Sequence, residues 1–139
     1  MELNKLVCDA GILGAGGAGF PTHVKINCKA EFVLANGAEC EPLLRVDQQV
    51  MQYFAADVVR GIRAVKEFTG AKRAVICLKE HYHAAVAALQ EVLKDADDVE
   101  LHLLQGTQNP LDALGAKIAK RYKLICFDEF HVADITDAM

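Results

Sequence analysis

Two kinds of apolar pattern alternate along this chain. Short, nearly continuous apolar runs recur as EFVLA (Glu31–Ala35), AVICL (Ala74–Leu78), the stretch Val99–Leu104 and LICF (Leu124–Phe127). Each is too short for a helix and is bounded by polar or turn residues, which predicts buried strands. Between the runs, apolar residues recur every three or four positions, the spacing of a helix with one face on a core. In Ala55–Phe68 the residues Ala55, Val58, Val59, Ile62, Val65 and Phe68 form one face, Arg60, Arg63, Lys66 and Glu67 face water, and Gly70 supplies a C-terminal stop. His83–Ala96 turns Ala85, Ala88, Leu89, Val92 and Leu93 inward, and shorter helices are expected over Leu3–Ile12 and Leu43–Tyr53. A last helix is expected over Asn109–Arg121, with Asn109 as cap and Pro110 in the first turn, where its missing N–H costs nothing. Apolar strands alternating with amphipathic helices predict an α/β fold, a mostly parallel, Rossmann-like sheet with helices on both faces. With 139 residues and no repeat, linker or low-complexity tract, residues 1–139 are expected to form a single domain.

Composition narrows the function classes. Hydrophobic residues make up 53% of the chain, enough for a real core. The net charge is −4 and no basic cluster stands out, so nucleic acid is not an expected partner. No apolar run reaches the roughly 18 residues of a membrane span, and direct membrane insertion is not expected. The opening MELNKLVCDAG lacks the pattern of a signal peptide, which makes the cytoplasm the expected compartment. The five cysteines, Cys8, Cys28, Cys40, Cys77 and Cys126, form no CxxC pair. That spacing points away from a disulfide framework and from a self-contained zinc or iron–sulfur site. Most are expected to be buried, small apolar side chains.

The candidate chemistry lies between Gly11 and Glu41. Gly11, Gly14, Gly16, Gly17 and Gly19 break regular structure and let a ligand approach the backbone, Pro21 is expected to open a helical turn, and Lys25 stands just behind. Gly14, Gly16 and Gly19 satisfy G-x-G-x-x-G, and Glu39 follows about twenty residues on, as a ribose-binding acid does in dinucleotide sites. The segment before the loop reads as a helix rather than a strand, however, and a glycine-rich turn made for close packing is the plainer alternative. Phe20 and Pro21 stand where a phosphate-binding Walker A loop needs Lys and Ser/Thr. After the apolar run, Asn36-Gly37 signals a turn that carries Glu39 and Glu41. Backbone amides, a cation and nearby acids suit a cofactor with a phosphate and a polar ring system. Elsewhere, Glu80, His81 and His83 read as a strand-to-helix loop rather than a metal cluster, and His23 and His131 have no partner at ligand spacing. Cys40, between Glu39 and Glu41, is a poor nucleophile because the neighbouring acids raise its pKa. No Ser-His-Asp arrangement is visible, and no catalytic residue is assigned.

These residues also carry a resemblance. GAGGAGFPTHVK followed by VLANGAECEPLL closely resembles the RnfC family, the NADH-oxidising subunits of the Rnf electron-transport complex, to which the proline-reductase-associated PrdC is related. The pattern is similar to the flavin-binding subunit of respiratory complex I, and the likeness covers about residues 1–105. It implies a complex I flavoprotein-type domain that binds FMN along the loop of Gly14, Gly16, Gly17 and Gly19. Phe20 then matches a loop aromatic, Lys25 contacts the cofactor, Asn36 and Glu39 bind the flavin, and Glu41 lies near the nicotinamide nucleotide. NADH is the implied electron donor, and single electrons leave to iron–sulfur centres for which this chain has no motif, so other electron-transfer subunits are implied partners. Such a protein is peripheral to a membrane complex. Ala15 and Ala38 stand where complex I has arginine and aspartate, and NGAECEP is the form expected of the Rnf side.

After Leu104 the likeness changes. QGTQNPLDALGAKIAKRYKLICFDEFHVADITDAM lacks the segment with which the family completes its flavin pocket. It resembles ZapE-like ATPases, in which CFDEF is a Walker B strand. Asp128 and Glu129 are then a weak alternative metal site, without the P-loop that would have to cradle phosphates. The chain thus reads as a flavin-domain front joined near residues 104–108 to a helix–strand tail that extends the sheet, as a fusion or a designed hybrid would. The expected function is an FMN-binding electron-transfer domain holding only part of its pocket. The alternatives are a non-catalytic fold module and an ATPase fragment.

Overall fold

The computed structural model describes residues 3–14, 19–39 and 43–106 and the backbone of 124–128. The elements in order are α1 (Leu3–Asp9), α2 (Thr22–Lys25), β1 (Phe32–Asn36), α3 (Val46–Tyr53), α4 (Ala55–Thr69), β2 (Arg73–Lys79), α5 (His83–Leu93), β3 (Glu100–Leu104) and β4 (Leu124–Asp128). All four strands expected from the apolar runs form. They make one sheet in the order β3-β2-β1-β4, and every neighbouring pair is parallel. The helix expected over Asn109–Arg121 lies outside the described residues.

Side-chain alternation gives the two central strands two buried faces. Val33 and Ala35 of β1 and Ala74, Ile76 and Leu78 of β2 pack with Met51, Ala55, Val59, Ile62, Ala85 and Leu89 of the three longest described helices. The alternate residues Leu34, Val75 and Cys77 form a second buried cluster with Ala38 and Leu104. Each large aliphatic side chain so buried stabilises the fold by about 1.5–3 kcal/mol. This two-sided burial is why the strands read as continuous apolar runs. The edge position of β3 explains its weaker pattern, with Leu103 exposed and Leu104 buried.

α4 follows its sequence pattern closely. Ala55, Val59 and Ile62 are buried, and Val58 and Val65 pack partly against the same cluster. Gly70 ends the helix at φ 74°; its N–H donates to the Glu67 carbonyl and the Ala71 N–H to that of Lys66. This paired arrangement needs a left-handed residue, which glycine supplies without strain. Ala30 then donates its N–H to Thr69 O at 3.2 Å, tying the end of α4 to the approach of β1.

Several expectations need correction. α3 starts at Val46 rather than Leu43, because Leu43 stands at φ 72°, outside helical geometry, and projects into solvent with Leu44. Pro21 does open the turn of α2, as its N-cap residue at φ −65° and ψ 115°, with its carbonyl accepting the Val24 N–H at 3.0 Å. α1 forms but buries none of its residues. Cys8 and Cys28 are exposed and only Cys77 of the described cysteines is buried, because the first two sit outside the sheet and its packed helices. Arg63 and Lys66 do not simply face water. Arg63 Nε and Nη2 donate to the two oxygens of Asp98 at 2.7 and 2.8 Å, and Lys66 Nζ donates to Asp98 O at 2.7 Å. Those bonds fasten the segment entering β3 to α4.

The Arg63 guanidinium holds the Asp98 carboxyl below its ordinary range. A carboxyl whose folded pKa lies below its unfolded value, about 3.9, stabilises the fold above that pH. The contribution disappears as pH falls through the folded pKa. Asp98→Asn should therefore be less stable than the wild type near neutrality, and the gap should close as the solution is acidified below about pH 4. Urea melts across that pH range measure the gap.

Candidate functional site

The strand order locates the site. β1, β2 and β3 step in one direction across the sheet, and β4 returns to the opposite side of β1. In open parallel sheets, ligands bind outside the carboxyl ends of the strands where the order reverses. Here that point lies between β1 and β4. Asn36, the last residue of β1, is in register with Asp128 on one side and Cys77 on the other.

The chain beyond Asn36 does not form a hairpin, since both neighbours of β1 are parallel to it. Gly37 continues the ladder for one more step, donating its N–H to Cys77 O at 2.7 Å. A Cβ at Gly37 would stand 2.7 Å from the tip of Met51 and 3.3 Å from Cys77 O. A side chain at Gly37 would thus have to displace the tip of Met51, and the position is not left-handed. Asn36 Oδ1 then accepts the Ala38 N–H at 3.0 Å, closing a side-chain turn typical of asparagine. The segment ends on Glu39, whose main-chain carbonyl accepts from Lys79 Nζ at 2.7 Å and from Tyr82 Oη at 3.1 Å. Asn36 and Glu39 are only 4% and 9% exposed, so two polar side chains are held in a buried, hydrogen-bonded turn at the switch point. An amide and a carboxylate offer both donors and acceptors, the combination that a flavin ring edge or ribitol chain requires.

The glycine loop is closed at its neck. Gly14 donates its N–H to Phe20 O at 3.0 Å, Thr22 donates to Ile12 O at 3.2 Å, and Leu13 bridges Pro21 in antiparallel fashion. Gly19 takes φ 68°. Phe20 is half-buried, and Lys25, also half-buried, ends α2. Gly16, Gly17, Glu41 and Glu129 lie outside the described residues, as does Cys40, and Asp128 is placed by its backbone alone. Among the described residues, no three His, Cys, Asp or Glu side chains gather as a metal site. Glu80, His81 and His83 belong to the loop between β2 and α5 and the first turn of α5. Beside them an open groove of about 420 Å³ runs between α3 and the start of α5, bordered by Arg45, Gln48, Gln52, His81 and His83.

Sequence reasoning missed Lys79 and Tyr82. Both lie at or just beyond the carboxyl end of an expected strand, which was a usable signal. Which strand stands beside β1 was needed to turn it into a contact.

Known proteins resemble this chain. The profile of the Nuo51 FMN-binding domain matches residues 7–111. The chain belongs to that family. It is 50% identical over 103 residues to the cobalamin reductase PduS of Salmonella typhimurium, covering 74% of this chain and 22% of that protein. Identity is 46% over 95 residues with PduS of Citrobacter freundii, covering 68% and 21%. It is 35% over 106 residues with a subunit of the ion-translocating oxidoreductase complex of Pasteurella multocida, covering 74% and 13%. Among solved structures, an air-oxidized NAD+-reducing [NiFe]-hydrogenase superposes with a TM-score of 0.57 at 28% identity, covering 74% of this chain and 20% of that one. The chain thus spans about a fifth of the length of the reductases and the hydrogenase chain. The Nuo51 match ends short of Leu124–Asp128, and the ATPase likeness of that stretch gains nothing from it. The stretch does contribute β4, the strand that creates the order reversal beside β1.

Two outcomes test this geometry. Asn36→Ala leaves the buried Ala38 N–H without its acceptor and should cost about 1–3 kcal/mol in urea denaturation. Burial pushes the Cys77 thiol up to about 12, so in native protein iodoacetamide at about pH 8 should modify Cys8 and Cys28 and spare Cys77 until the protein is unfolded. Peptide mass mapping reads that difference.

Proposed function

We propose that this chain binds FMN at the carboxyl end of β1 and serves as an electron-transfer domain fed by a nicotinamide nucleotide. The observation that supports it most is the buried Asn36–Glu39 turn at the β1/β4 switch point, in a member of the Nuo51 FMN-binding family. In this reading the amides of the loop containing Gly14, Gly16, Gly17 and Gly19 line the flavin, with Phe20 at the loop's edge. Lys25 meets the phosphate, Asn36 and Glu39 meet the ring or ribitol, and Glu41 lies toward the nicotinamide nucleotide. A backbone nest and a cation neutralise a phosphate without a metal ion. Held by those residues, a flavin would supply hydride and one-electron redox chemistry. The chain's own residues orient it and hold its charges in a partly dry site.

The relatives bear on the finer assignment. Identity is higher to the two cobalamin reductases than to the Rnf-type protein, which favours the reductase branch over an RnfC role. Partners that carry electrons onward belong to the same proposal, because one relative is named as part of an oxidoreductase complex. Attachment to a membrane complex would be peripheral, since among the described residues no helix is long and apolar enough to cross a membrane. Residues 1–139 are read as one α/β domain whose last strand completes the sheet.

Titration of the full chain with FMN and with riboflavin tests the reading. FMN should bind with fluorescence quenching and raise the melting temperature, a ligand at a hundred times its Kd adding about 2.7 kcal/mol. Lys25→Ala should weaken FMN by about tenfold, the worth of a charge-assisted contact, and leave riboflavin nearly unaffected. NADH added without oxygen should bleach the bound flavin. A well-folded protein that ignores millimolar FMN would overturn the proposal and favour a non-catalytic fold module.

A further inference from the structure

We infer that Lys79 and Tyr82 are positioning residues for the cofactor turn: together they clamp the main-chain carbonyl of Glu39 and thereby set the buried Asn36–Glu39 segment. The inference rests on the flavin reading above for its ligand, but its geometry stands alone. Two donors that lie 40 and 43 residues further along the chain converge on one carbonyl, at 2.7 and 3.1 Å. A carbonyl oxygen has two lone pairs, and two donors fix the plane of its peptide unit. The turn is held at its other end as well, where Cys77 O accepts the Gly37 N–H at 2.7 Å. Cys77 and Lys79 are alternate residues of β2, so one strand grips both ends of the segment that extends from its neighbour.

The choice of groups is informative. A lysine ammonium is strongly hydrated and costly to withdraw from water. Lys79 is half-buried, and among the described residues it makes no ion pair with a carboxylate; it donates instead to a neutral carbonyl. Tyr82 is buried, with its ring edge-on to His81 at a centroid distance of 4.8 Å and its hydroxyl reaching back to Glu39. It stands at the N-cap of α5 without capping that helix. Both side chains serve Glu39, which lies beyond the last ladder bond of β1 and in no helix. Binding groups need to be kept within about 0.5 Å of their working positions, and residues of this kind do it.

The experiment compares wild type, Lys79→Met, Tyr82→Phe, the double variant and Lys79→Arg. Hydrogen exchange of the peptide spanning Asn36–Glu39 is followed in protein free of FMN, and FMN affinity is measured by fluorescence quenching. In the double variant that peptide should exchange about tenfold faster, while peptides from the centre of α4 keep their protection, and FMN should bind at least about tenfold more weakly. Lys79→Arg keeps the charge and the donors and should retain most of the affinity, a rescue that a purely space-filling role for the side chain would not require. Tyr82→Phe removes a single oxygen and leaves the ring packing, so it carries the test alone if the double variant melts early. Wild-type exchange in the Asn36–Glu39 peptide, or wild-type FMN affinity in the double variant, overturns the inference. If wild-type protein takes up no FMN, the flavin reading fails, and exchange then decides the clamp by itself.

Discussion

A single ladder step past the end of a strand organises this molecule. Gly37 has left β1, yet its N–H still donates to Cys77 O at 2.7 Å. A Cβ there would stand 2.7 Å from the tip of Met51, which would have to move to admit it. From that step come the asparagine turn onto Ala38, the burial of Glu39 and the reach of Lys79 and Tyr82 to the Glu39 carbonyl. An unpaired buried backbone group costs as much as a lost hydrogen bond, so the segment must find partners outside regular structure. It finds them in β2 and in the loop that leads to α5.

The sheet around this segment explains its depth. β1 and β2 are apolar and buried on both faces, one against α3, α4 and α5 and the other in a cluster of their own Leu34, Val75 and Cys77 with Ala38 and Leu104. Polar groups at the carboxyl end of β1 are therefore withdrawn from water without being placed in the core. Electrostatic contacts are stronger in such surroundings than in solvent. Because β4 returns to the far side of β1, the same end is also where the strand order reverses. Burial, hydrogen bonding and topology coincide at Asn36–Glu39, and the family to which the chain belongs is one of FMN-binding domains.

Much of the fold was legible from local patterning. Continuous apolar runs announced β1 and β2 most clearly, because strands buried on two faces have no polar alternate positions. The three-and-four spacing of Ala55–Phe68 announced α4, and Gly70 its end. Misreadings occurred where a tertiary contact overrode a local preference. Asn36-Gly37 signalled a turn, but between two parallel neighbours of β1 Gly37 continues the ladder for one step before the asparagine turn closes. Arg63 and Lys66 looked solvated until Asp98, more than thirty residues away, came within hydrogen-bonding distance. Of the candidate site, Asn36 and Glu39 were visible because their motif is local, whereas Lys79 and Tyr82 act on that motif from a different strand.

The sequence by itself determined which segments are strands and helices, the glycine-rich and acidic motifs, and the family likeness, because all of these are encoded in neighbours along the chain. Tertiary structure alone decided that β2 and β4 flank β1, that Asn36 and Glu39 are buried rather than exposed, and that a lysine and a tyrosine hold the Glu39 carbonyl. The physical reason is that strand order and register are collective results of packing both faces of a sheet. No local run of residues carries the identity of its neighbour across the ladder.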